Sequence, residues 1–468
     1  MEQNNLAKRS VFEGVKPYHW LVVIIASCGW LFDCMDQRIF VLTREPALLE
    51  LLSDDPGALQ QAQEYLGNPE LRVDTMEGAM RAVAKEYYGW ATFWMIIGWA
   101  TGGIIFGMMS DKLGRVKTMV ITLLIYSGFT GLSGLSHGWL DFFIYRFLVG
   151  LGVGGMFGAA TTLVAESVPS GFRAIALGSL QALSATGNMM GSLISLGIPP
   201  GAENYLGSYS GWRILFFVGI LPSLLVIPII FILKEPEAWM KSKQLSDAGD
   251  AKHKMGSIND LFNHPRWRRN TLVGLMLGVS GMVGLWGIGF FSPELISTAL
   301  ADSPQEVRDW VRGLGTFLQD FGSLMGMFTF TFAAAYVSRR FAFLCSFILC
   351  LISTIFVFNF LRTPTDAYWM LPLMGFSQLA VFAGYSIYFP ELFPTRLRGT
   401  GVGFCYNTVR YLAAPGPVIF GYLNTLLLTQ GYSEPFRLAA TLMSLIFILG
   451  MVALIWAPET KDQPLPED

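Results

Sequence analysis

Charged residues are scarce in this chain. Asp, Glu, Lys and Arg make up only 14% of its 468 residues, whereas 53% are hydrophobic, and the mean hydropathy is +0.47. A soluble domain usually carries about 25% charged residues, so this composition excludes an ordinary water-soluble protein. The net charge of -2 indicates no particular partner. The sequence also lacks a basic patch suited to nucleic acid.

Cysteine and histidine are sparse and form no ligand pattern. The five cysteines lie in apolar stretches, include no C-x-x-C pair and are odd in number, which argues against a disulfide framework or a metal site. The four histidines are scattered. There is also no nucleophile–base pair or phosphate-binding loop, so we expect no enzyme activity, no cofactor and no metal.

Long apolar runs, in contrast, are abundant. A membrane-spanning helix needs about 20 mainly apolar residues, and about twelve such segments divide six and six around the polar stretch 234–270. Lys and Arg are concentrated on the side of this stretch and of both termini, whereas the short loops at 136–139 and 199–212 contain none. Because positive charge is retained in the cytoplasm, both termini are expected there. The predicted spans are residues 18–43, 87–110, 117–136, 139–165, 173–198, 213–233, 271–297, 312–337, 342–361, 369–390, 400–428 and 436–457.

These segments predict an all-α membrane protein with twelve transmembrane helices in two pseudo-symmetric six-helix bundles. The N-terminal bundle is expected at 1–233, a cytoplasmic linker at 234–270 and the C-terminal bundle at 271–468. The acidic outside loop at 44–86 is predicted to be partly helical and to cap the outer face. We expect a multi-pass protein of the cell (inner) membrane, monomeric, whose partners are a small solute, protons and the lipid bilayer.

An internal repeat supports this division. The segment "ESVPSGFRAIALG", which begins at Glu166, and "ELFPTRLRGTGVG", which begins at Glu391, both fit E-x-x-P-x-x-x-R-x-x-x-x-G at an offset of 225 residues. The same offset aligns Arg115 with Arg340 after the second and eighth spans. Parallel repeats of this kind place a substrate site at their interface, near the bilayer midplane.

Several motifs resemble the major facilitator superfamily. "GMMSDKLGRVK", from Gly107, is similar to the hallmark G-x-x-x-D-x-x-G-R-[KR] motif, and "RFLVGLGVGG", from Arg146, resembles the R-x-x-x-G-x-G-x-G motif of proton-coupled members. The C-terminal "PETKDQPLPED" resembles the tail of sugar porters. The resemblance implies the major facilitator fold and secondary active transport by alternating access.

Two further segments resemble particular subgroups of this superfamily. "FDCMD" resembles the D-x-x-D element of aromatic-acid and nicotinate carriers, and "PELFPTRLRGTGVGFCYNTVR" resembles bacterial organic-acid and sialic-acid porters. They imply proton-coupled uptake of a small organic acid (a carboxylate). The alternative is a sugar or polyol:proton symporter of the same fold.

The loop after the second span is expected to form a gate. The resemblance implies an ionic latch on the cytoplasmic side that includes Asp111; alternatively, the basic residues there only fix the topology. In the second half Ser338 stands where an acid would be, so the latch would be one-sided. Glu166 with Arg173 and Glu391 with Arg398 are expected to belong to the same charge-relay system at helix ends, as exposed pairs that each contribute little alone. The candidate gating residues are Gly107, Asp111, Gly114, Arg115, Glu166, Arg173, Glu391 and Arg398.

Four charged residues are candidates for proton coupling. The resemblance implies that Arg146 pairs with a span-one acid, best matched by Asp36; alternatively, Arg146 is an interfacial arginine that snorkels to water. Asp33 lies three residues earlier on the same helix face, and repulsion between the two carboxylates favours a proton on one of them. Asp320 is a further buried acid. Arg38 lies on another face and has no assigned role: a bridge to a neighbouring helix or to lipid headgroups competes with a substrate role.

Polar residues in four predicted spans are candidates for solute binding. Arg410 is costly so deep in a bilayer without a partner or a task, and similar organic-anion carriers place an arginine here. It either binds a solute carboxylate or forms a structural bridge to an acid such as Asp320. The polar stripe on span five, which includes Gln181 and Asn188, either forms part of the site or makes hydrogen bonds between neighbouring helices. The candidates are Gln181, Asn188, Trp286, Gln319, Tyr406, Asn407 and Arg410.

Overall fold

The computed structural model describes residues 12–66, 75–248 and 255–467. Twelve helical stretches cross the bundle within this part of the chain, as the sequence predicts, and nine of them are long and apolar enough to span a membrane. The other three, spans 5, 8 and 11, carry all the candidate solute-binding residues except Trp286. In order, spans 1 to 12 are Pro17–Leu52, Met76–Leu113, Arg115–Ser133, Trp139–Ser167, Ser170–Gly197, Gly211–Ile232, Pro265–Ala299, Gln305–Tyr336, Arg339–Phe360, Pro364–Leu392, Arg398–Ala413 with Gly416–Thr429, and Pro435–Ala453.

Three of the spans are broken next to a proline, which cannot donate a helical hydrogen bond. In span 11 the break is at Ala414 and Pro415. Span 6 contains a 3₁₀ turn, Leu221–Leu225, that includes Pro222. Span 7 contains a 3₁₀ turn, Gly289–Phe291, after which Pro293 stands at the start of a new helical segment. Three short helices lie outside the spans: Pro56–Leu66, Glu237–Asp247 and Ile258–Asn263.

Residues near both ends of the chain lie on one side of the bundle, called the terminus side. The Tyr18 hydroxyl accepts the backbone N–H of Lys234 at 3.1 Å, and the Ser338 hydroxyl donates to Glu459. The opposite side, called the loop side, carries the connection between spans 1 and 2. The sequence predicts that the terminus side is cytoplasmic.

The predicted outside loop at 44–86 is largely helical. Spans 1 and 2 extend into it, and the short helix Pro56–Leu66 buries Ala58 and Ala62 in an apolar cluster with both extensions. Asp55, just before this helix, accepts the indole N–H of Trp139 at 3.2 Å, which joins the cap to span 4. The central part of the loop, residues 67–74, lies outside the described residues.

Spans 3 and 9 begin with the same buried contact, which corrects the repeat alignment. The Arg115 guanidinium donates two hydrogen bonds to Glu166, both 3.0 Å long. Arg339 donates two to Glu391, at 3.2 and 2.9 Å. Arg339, not Arg340, is therefore the counterpart of Arg115, at an offset of 224 residues instead of 225.

This alignment also changes the position at which the second half lacks the acid of the motif. Asp111 lies four residues before Arg115, and the residue four before Arg339 is Ala335. The prediction that Ser338 occupies the acid position is wrong by one helical turn. Ser338 instead caps span 9, where its hydroxyl accepts the backbone N–H of Phe341 at 3.2 Å.

A glutamate after the sixth span of each half caps the third span of that half. Glu235 accepts the backbone N–H of Arg115 at 2.7 Å and those of the next two residues at 3.0 and 3.3 Å. Glu459 likewise accepts the backbone N–H of Arg339 at 3.1 Å. Burial raises the pKa of Glu235 despite these bonds. Burial acts the same way on Glu459, but hydrogen bonds from Ser338 and the backbone hold its pKa below the usual value.

Glycines let span 4 pack against span 2 at backbone distance. A Cβ atom at Gly154 would lie 2.1 Å from the Trp99 carbonyl oxygen and 2.5 Å from the Gly103 nitrogen. Both obstacles are backbone atoms, which cannot move aside as a side chain can. Gly150 and Gly154, which follow Arg146 at four-residue steps, therefore form a helix–helix contact, as small residues in membrane helices commonly do.

We expect Gly154→Ala to destabilise the protein by about 1–3 kcal/mol, because the added methyl group forces spans 2 and 4 apart. Thermal unfolding of the purified protein, followed by size-exclusion chromatography, measures the effect. Gly128→Ala in span 3 is the matched control, since its Cβ would have no neighbour within 4 Å. Equal unfolding temperatures for the two variants would contradict the tight contact.

Candidate functional site

On the terminus side, Asp111 joins the two halves. Its carboxylate, at the end of span 2, accepts the backbone N–H groups of Gly399 and Thr400 at 2.9 and 2.8 Å and the Thr400 hydroxyl at 2.6 Å. These amides are at the N-terminus of span 11, where the helix dipole favours a negative charge. Asp111 is fully buried, and Arg115 lies 3.3 Å from it.

The two glutamates of the repeat each bind arginines from both halves. Glu166 pairs with Arg115 of its own half and with Arg398 of the other half. Glu391 pairs with Arg339 of its own half, and Arg173 of the other half lies 4.0 Å away. The sequence grouped Glu166 with Arg173 and Glu391 with Arg398, as solvent-exposed pairs. In the structure the partners are exchanged and buried.

The closure of the terminus side is asymmetric. The N-terminal half contributes the Asp111 bonds to span 11, whereas Ala335 at the matching position of span 8 has no carboxylate to offer the start of span 5. Gly107 packs near the backbone of Gly399 in the same contact. Gly114 has φ +116°, a conformation suited to glycine, and turns the chain from span 2 into span 3.

Asp33 and Asp36 face the interior of the N-terminal half instead of the space between the halves. Both are fully buried, and no carboxylate oxygen of either accepts a hydrogen bond from the described residues. Tyr126 and Thr130 of span 3 lie near them without forming hydrogen bonds. The acid pair therefore does not line the space between the halves in this conformation.

Arg146 lies close to Asp36 but forms no direct ion pair with it. The two groups interact electrostatically, yet no N–O distance within 4.0 Å joins these two described residues. The guanidinium instead donates to the Ser133 hydroxyl, at 3.1 and 2.5 Å, and lies over the ring of Phe216 at 4.7 Å. Arg146 is fully buried, so it is not an interfacial arginine.

Arg410 lies between the two halves and has no acidic partner among the described residues. Its guanidinium stacks over the ring of Trp99 in span 2 at 3.9 Å. One nitrogen donates to the Tyr406 carbonyl oxygen at 2.9 Å and to the Asn407 amide oxygen at 3.3 Å. The Arg410 Nε–H is buried and has no acceptor in the described part of the chain. The structural bridge from Arg410 to Asp320 is absent.

A small cavity of about 60 Å³ adjoins Arg410. Ile96 and Trp99 of span 2 form one wall, and Trp286 of span 7 lies opposite, so both halves contribute. Nearby, the Tyr406 ring stacks on Phe157 of span 4 with centroids 4.0 Å apart. Of the candidate solute-binding residues, Trp286 and Arg410 line this cavity.

Tyr406 and Asn407 contact Arg410, whereas the other three candidates lie elsewhere. Gln319 packs against Gly375 of span 10, within the C-terminal half. Gln181 is buried in span 5 and its amide oxygen has no hydrogen bond within the described ranges. The Asn188 carbonyl oxygen accepts the Ser192 hydroxyl of the same helix at 3.2 Å. The polar stripe of span 5 is therefore not gathered at the cavity in this conformation.

Arg38 bridges the two halves nearer the loop side. Its guanidinium donates to Asp320 of span 8 at 2.9 Å. This contact gives Arg38, which had no assigned role, the neighbouring-helix bridge considered for it. Sequence reasoning missed Trp99, Ser133 and Phe216, because nothing in their local pattern distinguishes them from other residues of apolar helices.

Two six-helix halves around a cavity, joined by ion pairs at one end, define a membrane transporter. Residues 57–417 match the Major Facilitator Superfamily. The chain belongs to this superfamily, which confirms the sequence-based resemblance. It is therefore a multi-pass membrane transporter of small solutes and not an enzyme.

Relatives with assigned names are bacterial transporters. The cis,cis-muconate transport protein of Acinetobacter baylyi is 29% identical over 328 residues, which cover 70% of this chain and 76% of the relative. The sialic acid transporter NanX of Escherichia coli is 30% identical over 325 residues, which cover 69% and 74%. Among solved structures, the proton:xylose symporter XylE bound to 6-bromo-6-deoxy-D-glucose has a TM-score of 0.72 at 16% identity, with 96% and 98% of the chains covered. That likeness shows the fold.

We expect Asp111→Asn to loosen the contact between span 2 and span 11, because a neutral amide accepts weaker hydrogen bonds from Gly399 and Thr400 than a carboxylate does. Hydrogen exchange by mass spectrometry on residues 395–403 should become about tenfold faster. Lys112→Gln, which changes an exposed charge on the next residue, is the control. Unchanged exchange in Asp111→Asn would show that Asp111 does not hold the halves together.

Proposed function

We propose that the protein takes up a small organic acid together with protons, by alternating access across the cell membrane with both termini in the cytoplasm. The observation that carries the proposal is the buried Arg410, which faces the cavity between the halves without an acidic partner in the described chain. A buried charge without a counter-ion is costly. A solute carboxylate would supply that counter-ion.

The geometry at Arg410 suits a planar carboxylate. A guanidinium binds a carboxylate through two parallel hydrogen bonds, and stacking on Trp99 fixes the plane of the guanidinium. Trp286 and Ile96 supply an apolar wall for the body of the solute. Relatives named for muconate, benzoate and sialic acid transport act on acids, which supports the same class.

A sugar or polyol symporter is the less favoured alternative. Its support is the resemblance of the C-terminal tail to that of sugar porters and of the span-four motif to that of proton-coupled members. A neutral solute would leave the Arg410 charge uncompensated, whereas an acid neutralises it. The solved xylose symporter shares the fold at 16% identity and does not bear on the solute.

Arg410→Ala should abolish uptake of the preferred acid and weaken its binding about 10–100-fold, because the charge-assisted hydrogen bonds are lost. Proteoliposomes with an imposed pH gradient, tested with cis,cis-muconate, benzoate, sialic acid, xylose and glucose, measure uptake. The binding loss should be larger for an acid than for its neutral amide. Equal losses would indicate a structural role for Arg410, and uptake of sugars alone would contradict the organic-acid proposal.

The buried acid pair supports coupling to protons. Neither Asp33 nor Asp36 accepts a hydrogen bond from the described residues, so an ionised carboxylate there has nothing to replace its hydration. The protonated form costs less in such a place. Arg146 favours the ionised form of Asp36 when it approaches. A helix movement that changes the distance from Asp36 to Arg146 would therefore bind or release a proton.

We expect Asp36→Asn to abolish proton-driven accumulation and to spare exchange of labelled for unlabelled solute. A monocarboxylate carried with one proton is electrically neutral, so a pH gradient of one unit drives about tenfold accumulation, which should fall to equilibration in the variant. Asp54→Asn, an exposed acid on the loop side, is the control. Accumulation that persists in Asp36→Asn would show that Asp36 is not the coupling acid, and Asp33→Asn would then be tested in the same way.

A further inference from the structure

We propose that Arg38 is a second carboxylate-binding residue of the transport site, that Asp320 occupies it while no solute is bound, and that the solute is therefore a dicarboxylate. This inference rests on the proposed organic-acid transport. It concerns the ion pair that joins span 1 to span 8, which neither the latch nor the Arg410 cavity uses.

The Arg38–Asp320 pair has the properties of a contact that a solute can replace. A single 2.9 Å bond joins the two side chains, and they are 29% and 26% exposed. A guanidinium has five N–H donors, and Arg38 uses one of them within the described residues. Partly exposed ion pairs of this kind contribute little to stability.

The other interhalf arginines are held very differently. Arg115 is fully buried and also donates to backbone carbonyl oxygens, including that of Thr395 at 2.8 Å. Arg398 is fully buried and donates to Glu166 and to the Pro390 carbonyl oxygen. These two hold the terminus side closed in this conformation, whereas Arg38 remains available for another acceptor.

Arg38 lies one helical turn after Cys34, on the same face of span 1. The Cys34 side chain interacts electrostatically with the guanidiniums of both Arg38 and Arg410. Arg410 belongs to the C-terminal half, whereas Arg38 belongs to the N-terminal half. In the proposed arrangement, a solute with two carboxylates bridges one arginine of each half, whereas a monocarboxylate satisfies only one of them.

The backbone near Arg38 directs its side chain toward span 8. A Cβ atom at Gly191 of span 5 would lie 2.9 Å from the Arg38 Cβ and 3.1 Å from its Cγ. The absence of a side chain at Gly191 lets the stem of Arg38 pass along span 5. The guanidinium is thereby carried to the boundary between the halves, where a solute crosses.

Paired acids that differ by one carboxylate test the proposal. Binding to the purified wild-type protein is measured for succinate and butyrate, for cis,cis-muconate and sorbate, and for terephthalate and benzoate. In at least one pair we expect the dicarboxylate to bind about tenfold more tightly. Arg38→Gln should reduce this preference to less than about threefold, and Arg38→Lys should retain part of it.

The variant Asp320→Asn tests whether the Asp320 carboxylate competes with the solute for Arg38 or only stabilises the fold. Removing the competitor should tighten dicarboxylate binding several-fold and leave monocarboxylate binding unchanged. Asp302→Asn, an exposed acid after span 7, should change neither. Thermal unfolding of each variant identifies any loss of fold. If Arg38→Gln does not fold, the two single variants Arg38→Lys and Asp320→Asn still test the proposal.

The outcomes distinguish this inference from the proposed function. Equal binding of both members of every pair by the wild type, or a preference that survives in Arg38→Gln, would overturn the dicarboxylate proposal and leave organic-acid transport standing. Weaker dicarboxylate binding in Asp320→Asn would also overturn it. Failure of the wild type to bind any of the acids would contradict organic-acid transport itself.

Discussion

The exchange of arginines between Glu166 and Glu391 is the interaction on which the rest of the structure depends. Each glutamate neutralises an arginine of its own half and accepts, or closely approaches, one from the other half. The cost of removing these charges from water is offset only while the partners stay together. The terminus side is therefore closed as a unit, and the cavity at Arg410 is shut off from that side.

Against this network of paired charges, the unpaired ones stand out. Within the described chain, Asp33, Asp36, Arg146 and Arg410 are buried without a salt bridge, and the two aspartates also lack hydrogen bonds. A stable protein gains nothing from such groups, because each carries a desolvation cost that no partner offsets. The proposed function accounts for three of them by ligands that bind and leave: protons at the aspartates and a solute carboxylate at Arg410.

Much of the fold follows from the sequence, because its signals are local. Apolar run length predicts the twelve spans, and the repeated E-x-x-P-x-x-x-R-x-x-x-x-G motif predicts the two halves. The same motif predicted the wrong contacts, because its Glu and Arg, seven residues apart on one segment, have partners in the other half. Offsets of 224 and 225 residues could not be separated without Arg339 and Glu391 in three dimensions. The stacking of Arg410 on Trp99 likewise joins positions far apart in the chain, so no local pattern could show it.

Span 1 links the proposed proton binding to the proposed solute binding, because the residues for each lie on different faces of this one helix. Asp33 and Asp36 face spans 3 and 4 of their own half, while Arg38, two residues beyond Asp36, reaches the other half. A side chain two positions along a helix points to a different face, so these charges cannot share a partner. They do share a backbone, however. A tilt or rotation of span 1 that follows the loss of the Asp320 contact must also change the distance from Asp36 to Arg146. Solute arrival on one face can thereby alter proton affinity on the other without direct contact between solute and proton.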